Sequence, residues 1–218
     1  MKCFDPRVRL PGFFTSQFKS AVWRFSETER VVYLTFDDGP IPEVTPWVLE
    51  LLRNEGIKAT FFCVGENVMK YPEVYRQILN EGHSVGNHTF NHWQGLKHND
   101  HVFFENVEKA RLFIDSDLFR PPHGWLKVSQ YRYLKNKFRI IMWDLISCDY
   151  DASIKPERVF RNITDFVRPG SVITFHDSIK AKPNLVKALP LAIRWMKEQG
   201  YRFEAIPYKK QRINEVIS

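Results

Sequence analysis

Short apolar runs rich in β-branched and aromatic residues alternate along this chain with longer amphipathic ones. That alternation predicts an α/β protein whose strands pair in parallel with helices packed outside. Two further observations point the same way. A helical pattern, then a glycine, then a strand pattern recurs three times, with Gly56, Gly82 and Gly200 as the stops. The 218 residues, 44% of them hydrophobic and 15% aromatic, suffice for one substantial core. No linker, low-complexity tract or internal repeat suggests a second domain, so one domain is expected.

The first 25 residues show no assignable pattern. Candidate strands then follow at 31–35, 60–64, 84–86, 118–120, 139–143, 172–175 and 202–205. Between the first two, "TPWVLELLRNEG" offers Thr45 as N-cap, Pro46 at the first helical position and Gly56 as the C-terminal stop. Parallel strands need long crossovers, so about seven such units form either an open doubly wound sheet or an incomplete barrel. Both architectures place chemistry at the carboxyl ends of the strands. Asp37, Asp38, His88, His92, Arg120, Asp149 and His176 all fall just after a candidate strand.

A formal net charge of +7 favours anionic partners such as nucleic acid, a membrane surface or an acidic polysaccharide. The excess is thinly spread, however, with clusters only at 180–187 and 209–212 that read as solvated surface. No aromatic-interleaved basic motif supports a nucleic-acid partner, and none is expected. Cys3, Cys63 and Cys148 are odd in number and widely spaced, which reads as reduced thiols. Asp5, Arg7 and Arg9 interrupt the apolar core a signal peptide needs, and no run of about 18 apolar residues suggests a transmembrane segment. The sequence as given reads as soluble and unexported, hence cytoplasmic.

Asp37 and Asp38 close an apolar run in "YLTFDDGP". Adjacent acids can take separate partners, one a metal and the other a proton, although Asp-Asp-Gly-Pro is also ordinary turn chemistry. Downstream, "HSVGNHTFNHW" holds His83, His88 and His92. Four residues apart, His88 and His92 would share one face of a helical turn, and two histidines with one carboxylate is a frequent catalytic zinc set. A lone His-x3-His pair is more often a solvated helix face. Joined to an aspartate at another strand end, the metal reading leads.

The motifs TFDDGP at 35–40, HTFNH at 88–92, RPPHG at 120–124, SCDY at 147–150 and VITFHD at 172–177 resemble, in order, those of the NodB-type polysaccharide deacetylases, carbohydrate esterase family 4. The resemblance implies a distorted (β/α) barrel of seven or eight strands, with 26–218 as its catalytic domain. It also implies metal-dependent hydrolysis of an N-acetyl or O-acetyl group on a sugar. Carried onto this chain, Asp38, His88 and His92 would hold one divalent ion, Zn2+ foremost with Co2+ or Ni2+ as others. Asp37 would be the general base, paired with Arg120. His176 would be the general acid, with Asp149 favouring its protonated form, and the backbone N–H of His123 would be the oxyanion donor. Taken alone, Arg120 reads as a surface salt bridge and His176 as a structural or capping residue.

Three departures fall among the residues around the substrate. Residue 123 is His where the family commonly has Tyr; Ile146 and Tyr150 stand where motif four has Asp and Trp; Thr174 replaces a Leu that lines the acetyl pocket. Tyr150, Trp125 and Thr174 are the substrate-binding candidates, with Trp93 as a further stacking face. Trp143, within a candidate strand, reads as core, and His83 as structural. Cys148 lies near the site without a nucleophilic role. The resemblance thus implies an N-deacetylase acting on a chitin-type or peptidoglycan-related glycan. An O-acetyl esterase on xylan or a similar polymer, and a catalytically silent glycan-binding protein, are the alternatives.

Overall fold

The computed structural model describes residues 6–25 and 28–210. Its strands are β1 (Val31–Asp37), β2 (Thr60–Cys63), β3 (Ser84–Asn87), β4 (Leu118–Phe119), β5 (Arg139–Ile140), β6 (Leu145–Ile146), β7 (Val172–His176) and β8 (Arg202–Phe203). All pair in parallel, in the order β5-β4-β3-β2-β1-β7-β6, with β8 on the first two residues of β1. Read around a circle, β1 to β5 stand in sequence order, β6 stands beside β7, β7 and β8 both meet β1, and one break lies between β5 and β6. The fold is therefore the distorted barrel rather than a doubly wound sheet.

The helices are α1 (Gly12–Thr15), α2 (Thr45–Asn54), α3 (Gly65–Lys70), α4 (Pro72–Asn80), α5 (Asp100–Arg111), α6 (Val128–Leu134), α7 (Pro156–Phe166) and α8 (Lys182–Glu198). In α8 the buried Leu185, Ala188, Leu189, Ala192, Ile193 and Met196 recur every three to four residues and seal the outer face of the sheet. Truncating a fully buried leucine such as Leu189 to alanine costs about 2–5 kcal/mol. The glycine stops hold, with φ of 64°, 76° and 78° at Gly56, Gly82 and Gly200. The expected Thr45 cap does not. Helix α2 begins at Thr45 itself behind Val44, because the Thr45 hydroxyl serves Asp177 Oδ2 at 2.6 Å and accepts from the Ile41 N–H.

The expected strand at 139–143 is shorter, and β6 was not anticipated. The chain leaves β4 after Ile140 and crosses the break to join β7 at Leu145, so two short strands four residues apart serve both edges of the sheet. The N-terminal segment, which carries no clear sequence pattern, fills that break. Val22 bridges Ile141 in parallel, Arg24 bridges Ser171, and the Val8 carbonyl accepts from the Ile146 N–H.

Alternation along the strands builds the interior. On β1, Val32, Leu34 and Phe36 join the core under the helices, whereas Thr35 and Asp37 belong to the opposite face with Thr174 and His176 of β7. Phe62 fills the lower interior with Leu118, Ile141, Val172 and Ile206. Its ring leaves no room beside β3, where a Cβ on Gly86 would lie 2.5 Å from Phe62 Cε1. Polar residues gather one layer higher, toward the carboxyl ends.

Candidate active site

Asp37 ends β1 and Asp38 turns away from it at φ 85°. The turn is held from β7's exit: the Gly39 N–H donates to Asp177 Oδ1 at 3.0 Å, and a Cβ at Gly39 would sit 1.9 Å from Asp177 Oδ2. Only glycine fits there. Asn67 adds a 2.8 Å bond to the Asp38 carbonyl.

His88 and His92 are close, at 5.1 Å between ring centroids, but not because they share a helix. Residues 88–92 form a loop after β3 in which Thr89 and His92 take φ of 64° and 56°. Side chains fix that loop: Asn87 Oδ1 accepts from the Thr89 N–H, and Asn106 Oδ1 of α5 accepts from the N–H groups of Phe90 and Asn91. Amide side chains replace the ladder a helix would supply, which the spacing alone did not signal.

Asp38, His88 and His92 present ligand atoms all within 4.8 Å of one another. The donor chemistry fits a divalent ion. The Arg120 carbonyl lies 2.7 Å from His88 Nδ1 and can only accept, so Nδ1 carries the proton and Nε2 keeps its lone pair. Burial pushes His88 down to about 4, leaving it neutral near pH 7. Burial works to raise the Asp38 carboxyl, but the His92 hydrogen bond and the charges of His176, His92 and His88 outweigh it and hold Asp38 well below the usual range.

Arg120 is no surface salt bridge; it is fully buried inside the barrel. Its Nη1 donates to Asp37 Oδ1 at 2.6 Å and to Thr35 Oγ1 at 2.8 Å, Nε to the Ile141 carbonyl and Nη2 to the Met142 carbonyl. The guanidinium lies 4.0 Å above the Phe62 ring. Opposite, Asp149 Oδ1 lies 2.7 Å from His176 Nδ1, and Asp149 Oδ2 accepts from the His176 N–H at 2.9 Å. Burial works to lower His176, but the charge and hydrogen bond of Asp149, then the charges of Asp38 and Asp37, push it up to about 9. Asp37 and His176 are register partners on adjacent strands.

These groups open into a cleft of about 550 Å³ walled by Trp125, Trp143, Tyr150 and His123. His123, at φ 60°, sets its ring 4.9 Å from that of His92. Tyr150 meets His176 edge-on at 5.0 Å, and burial, followed by neighbouring Cys148, pushes its hydroxyl up to about 12. Trp125 is 52% exposed at the rim. Thr174 is placed differently from the sequence expectation. It is fully buried beneath His176, with its hydroxyl 3.2 Å from that of Thr35, and does not line the cleft. Trp143, expected in the core, is a cleft wall, whereas Trp93 stacks on His98 at 4.3 Å and does not line the cleft.

Arg7, Ser178 and Lys180 also reach the cleft and were not anticipated. Lys180 follows His176 by four residues and lies 5.6 Å from the Tyr150 ring, a proximity the motif spacing could have suggested. His83 is structural: Nδ1 accepts from the Ala59 N–H, and burial pushes it down to about 4. Cys63 and Cys148 are buried cysteines outside the cleft, while Cys3 and part of the 209–212 cluster lie outside the described residues.

The family model described as polysaccharide deacetylase matches residues 26–137. A curated peptidoglycan-N-acetylglucosamine deacetylase of Bacillus cereus is 31% identical over 191 residues, covering 84% of this chain and 90% of that one. The chain belongs to the polysaccharide deacetylase family. A chitooligosaccharide deacetylase of Azorhizobium caulinodans is 34% identical over 164 residues, covering 71% of this chain and 77% of its own length. Among solved structures, a peptidoglycan N-acetylglucosamine deacetylase in complex with a naphthalenyl N-oxidanyl-benzamide superposes at a TM-score of 0.84 and 29% identity, covering 93% of this chain and 99% of that one. This polysaccharide deacetylase thus shares its fold along nearly its whole length with an enzyme of the family. Among its described residues, no helix is long and apolar enough to cross a membrane.

Proposed function

We propose that the chain hydrolyses the N-acetyl group of an N-acetylated amino sugar within a peptidoglycan-related or chitin-type glycan. The observation that carries this reading is the pairing of Asp37 with Arg120 and of His176 with Asp149 on adjacent strands, beside the Asp38, His88 and His92 cluster. The printed activities of the relatives support the substrate class.

Asp38, His88 and His92 are the residues that would hold a divalent ion, with Zn2+ the best match to two imidazoles and a carboxylate. When bound, such an ion would supply Lewis acidity at the acetyl carbonyl and lower the pKa of water far below its bulk value, to about 7 with zinc. Asp37, oriented by Arg120, which Thr35 helps to hold, accepts the proton of the water whose oxygen attacks the carbonyl carbon. The backbone N–H of His123 donates to the oxyanion that develops, a contact worth about 3 kcal/mol in comparable hydrolases. His176 then gives its proton to the sugar nitrogen as the carbon–nitrogen bond breaks, releasing acetate and a free amine.

The protonated state of His176 near pH 7 favours an amide over an ester, because an amine leaving group requires that proton more than an alcohol does. The test is acetate release from N-acetylglucosamine oligomers by Zn2+-loaded protein, with metal content measured for wild type, His88→Ala and His92→Ala. Loss of metal and of acetate release together is expected. Unchanged metal content in both variants would remove the proposed ligand set, and acetate release from O-acetylated glycans alone would turn the reading to an esterase.

A further inference from the structure

Asp177 follows the proton donor His176 at the end of β7, yet it is buried and does not line the cleft. It is therefore placed to touch neither substrate nor the attacking water. Burial pushes its carboxyl up to about 8, with the Thr45 hydrogen bond working against that rise and the charge of Asp38 adding to it. No cation pairs with it among the described residues. A carboxyl held this deep without a counter-charge is costly, and its partners show what it holds.

Asp177 grips the exit of β1 through backbone and side chain together. Its N–H donates to the Asp37 carbonyl at 3.1 Å, and its Oδ1 accepts from the Gly39 N–H at 3.0 Å. One residue thus binds the chain immediately before and immediately after Asp38. Oδ2 accepts from the Thr45 hydroxyl at 2.6 Å, and that hydroxyl accepts in turn from the Ile41 N–H at 2.9 Å, which carries the grip on to the start of α2. Between the two anchors Asp38 sits at φ 85°, a conformation that a residue other than glycine keeps only where its surroundings over-determine it. Further anchors come from the β2 side of β1, where Asn67 Nδ2 donates to the Asp38 carbonyl and the Val64 N–H to the Gly39 carbonyl, each at 2.8 Å. Neither of these fixes the Gly39 N–H.

We propose that Asp177 is a positioning residue for the metal ligand Asp38: by pinning the Gly39 N–H it keeps the Asp38 carboxylate beside His88 and His92, and it does so from the position next to His176. One clamp then sets ligand and proton donor relative to each other. The proposal rests on the Asp38, His88 and His92 ligand set and extends it to a residue outside the cleft. Removing a group that orients a metal ligand typically weakens metal binding about 10- to 100-fold. Asp177→Ala deletes the side-chain half of the clamp and leaves the backbone half. Asp177→Asn keeps an acceptor oxygen for Gly39, while its amide donates to the Thr45 oxygen, which has a second lone pair. Gly39→Ala strikes the same contact from the other side, since the three atoms closest to its Cβ all belong to the Asp177 carboxyl.

The experiment measures the Zn2+ affinity of metal-free protein by competition with a chromophoric chelator, together with the melting temperature. Asp177→Ala is expected to weaken Zn2+ binding about tenfold, and Asp177→Asn to stay within about threefold of wild type. Gly39→Ala is expected to lose as much as Asp177→Ala, and the double variant no more than either, because both changes remove one contact. Leu189→Ala, destabilised through the core, is the comparator: its melting temperature falls and its Zn2+ affinity stays. Wild-type affinity in Asp177→Ala and Gly39→Ala, with His88→Ala losing the ion, would overturn the clamp and leave the ligand set standing. Unchanged affinity in His88→Ala as well would overturn both. Additive losses at Gly39 and Asp177, or a loss in Leu189→Ala as large as in Asp177→Ala, would overturn the positioning role. Where Asp177→Ala does not fold, Gly39→Ala and Asp177→Asn carry the comparison, and equal affinities for those two would overturn it.

Discussion

The two halves of the catalytic cleft are built from the same parts with the charges exchanged. At the end of β1 a carboxylate, Asp37, faces the cleft and a cation, Arg120, stands behind it at 2.6 Å; beyond the end of β6 a carboxylate, Asp149, stands behind the imidazole of His176 at 2.7 Å. Register places Asp37 and His176 side by side on adjacent strands, so strand position does not distinguish the group that takes a proton from the group that gives one. The buried partner does. The supports also differ in depth. Arg120 is held by four further contacts inside the barrel, whereas Asp149 grips one residue twice, through ring and backbone.

The strongest way to break this contrast is to remove the proton acceptor and keep its shape. Asp37→Asn is expected to lower kcat about 10³-fold, within the range for general-base catalysis, with metal content and melting temperature close to wild type. Near-normal turnover by that variant would sink the assignment of the base. Arg120→Met attacks the support instead. It leaves Asp37 buried without its Arg120 partner, a loss of about 3–5 kcal/mol in unfolding free energy measured by denaturant titration. Arg120→Met combined with Asp37→Asn is expected to recover part of that stability, since no charge is then stranded. A double variant as unstable as Arg120→Met would mean that the guanidinium's other contacts carry the cost.

On the other side, Asp149→Asn is expected to move the alkaline limb of the pH–rate profile from near 9 toward 6.5, so activity falls most between those values and least at lower pH. The sign for stability follows the same shift. The folded pKa lies above the unfolded value of about 6.5, so the pair's stabilisation is complete below pH 6.5 and is lost as pH rises through about 9. Asp149→Asn removes this dependence. An alkaline limb that stays in place would assign the proton donor to another group.

How far this contrast was legible in the sequence depended on what kind of information fixes each part. Seven of the eight strands were marked by β-branched and aromatic runs, and residues at their carboxyl ends had to converge once the strands were parallel. β6 was hidden because Leu145–Ile146 lies just past the run assigned to one strand, and its pairing with β7 across the break is a tertiary event with no local signature. The loop at 88–92 misled for a related reason. Its positive φ angles are held by Asn87 and Asn106, and Asn106 comes from a helix that begins eight residues after His92. Trp143 and Thr174 show the same limit from both sides, since period-two alternation says which residues share a face but not which layer opens to solvent.

Thr174 supplies the smallest and most selective test. Its hydroxyl meets the Thr35 hydroxyl at 3.2 Å, and Thr35 in turn accepts from Arg120 and donates to the Ile173 carbonyl, so Thr174 supports the base side of the cleft at one remove. Valine keeps the shape and loses that hydroxyl. Thr174→Val is expected to cost about 1 kcal/mol of stability or less, because Thr35 retains both of its stronger partners. KM for an acetylated oligomer and the alkaline limb set by His176 are both expected to stay unchanged, as the side chain reaches neither the cleft nor Asp149. A rise in KM without a stability change would instead place Thr174 against the acetyl group, where the family's leucine stands, and would mean that the cleft deepens when substrate enters.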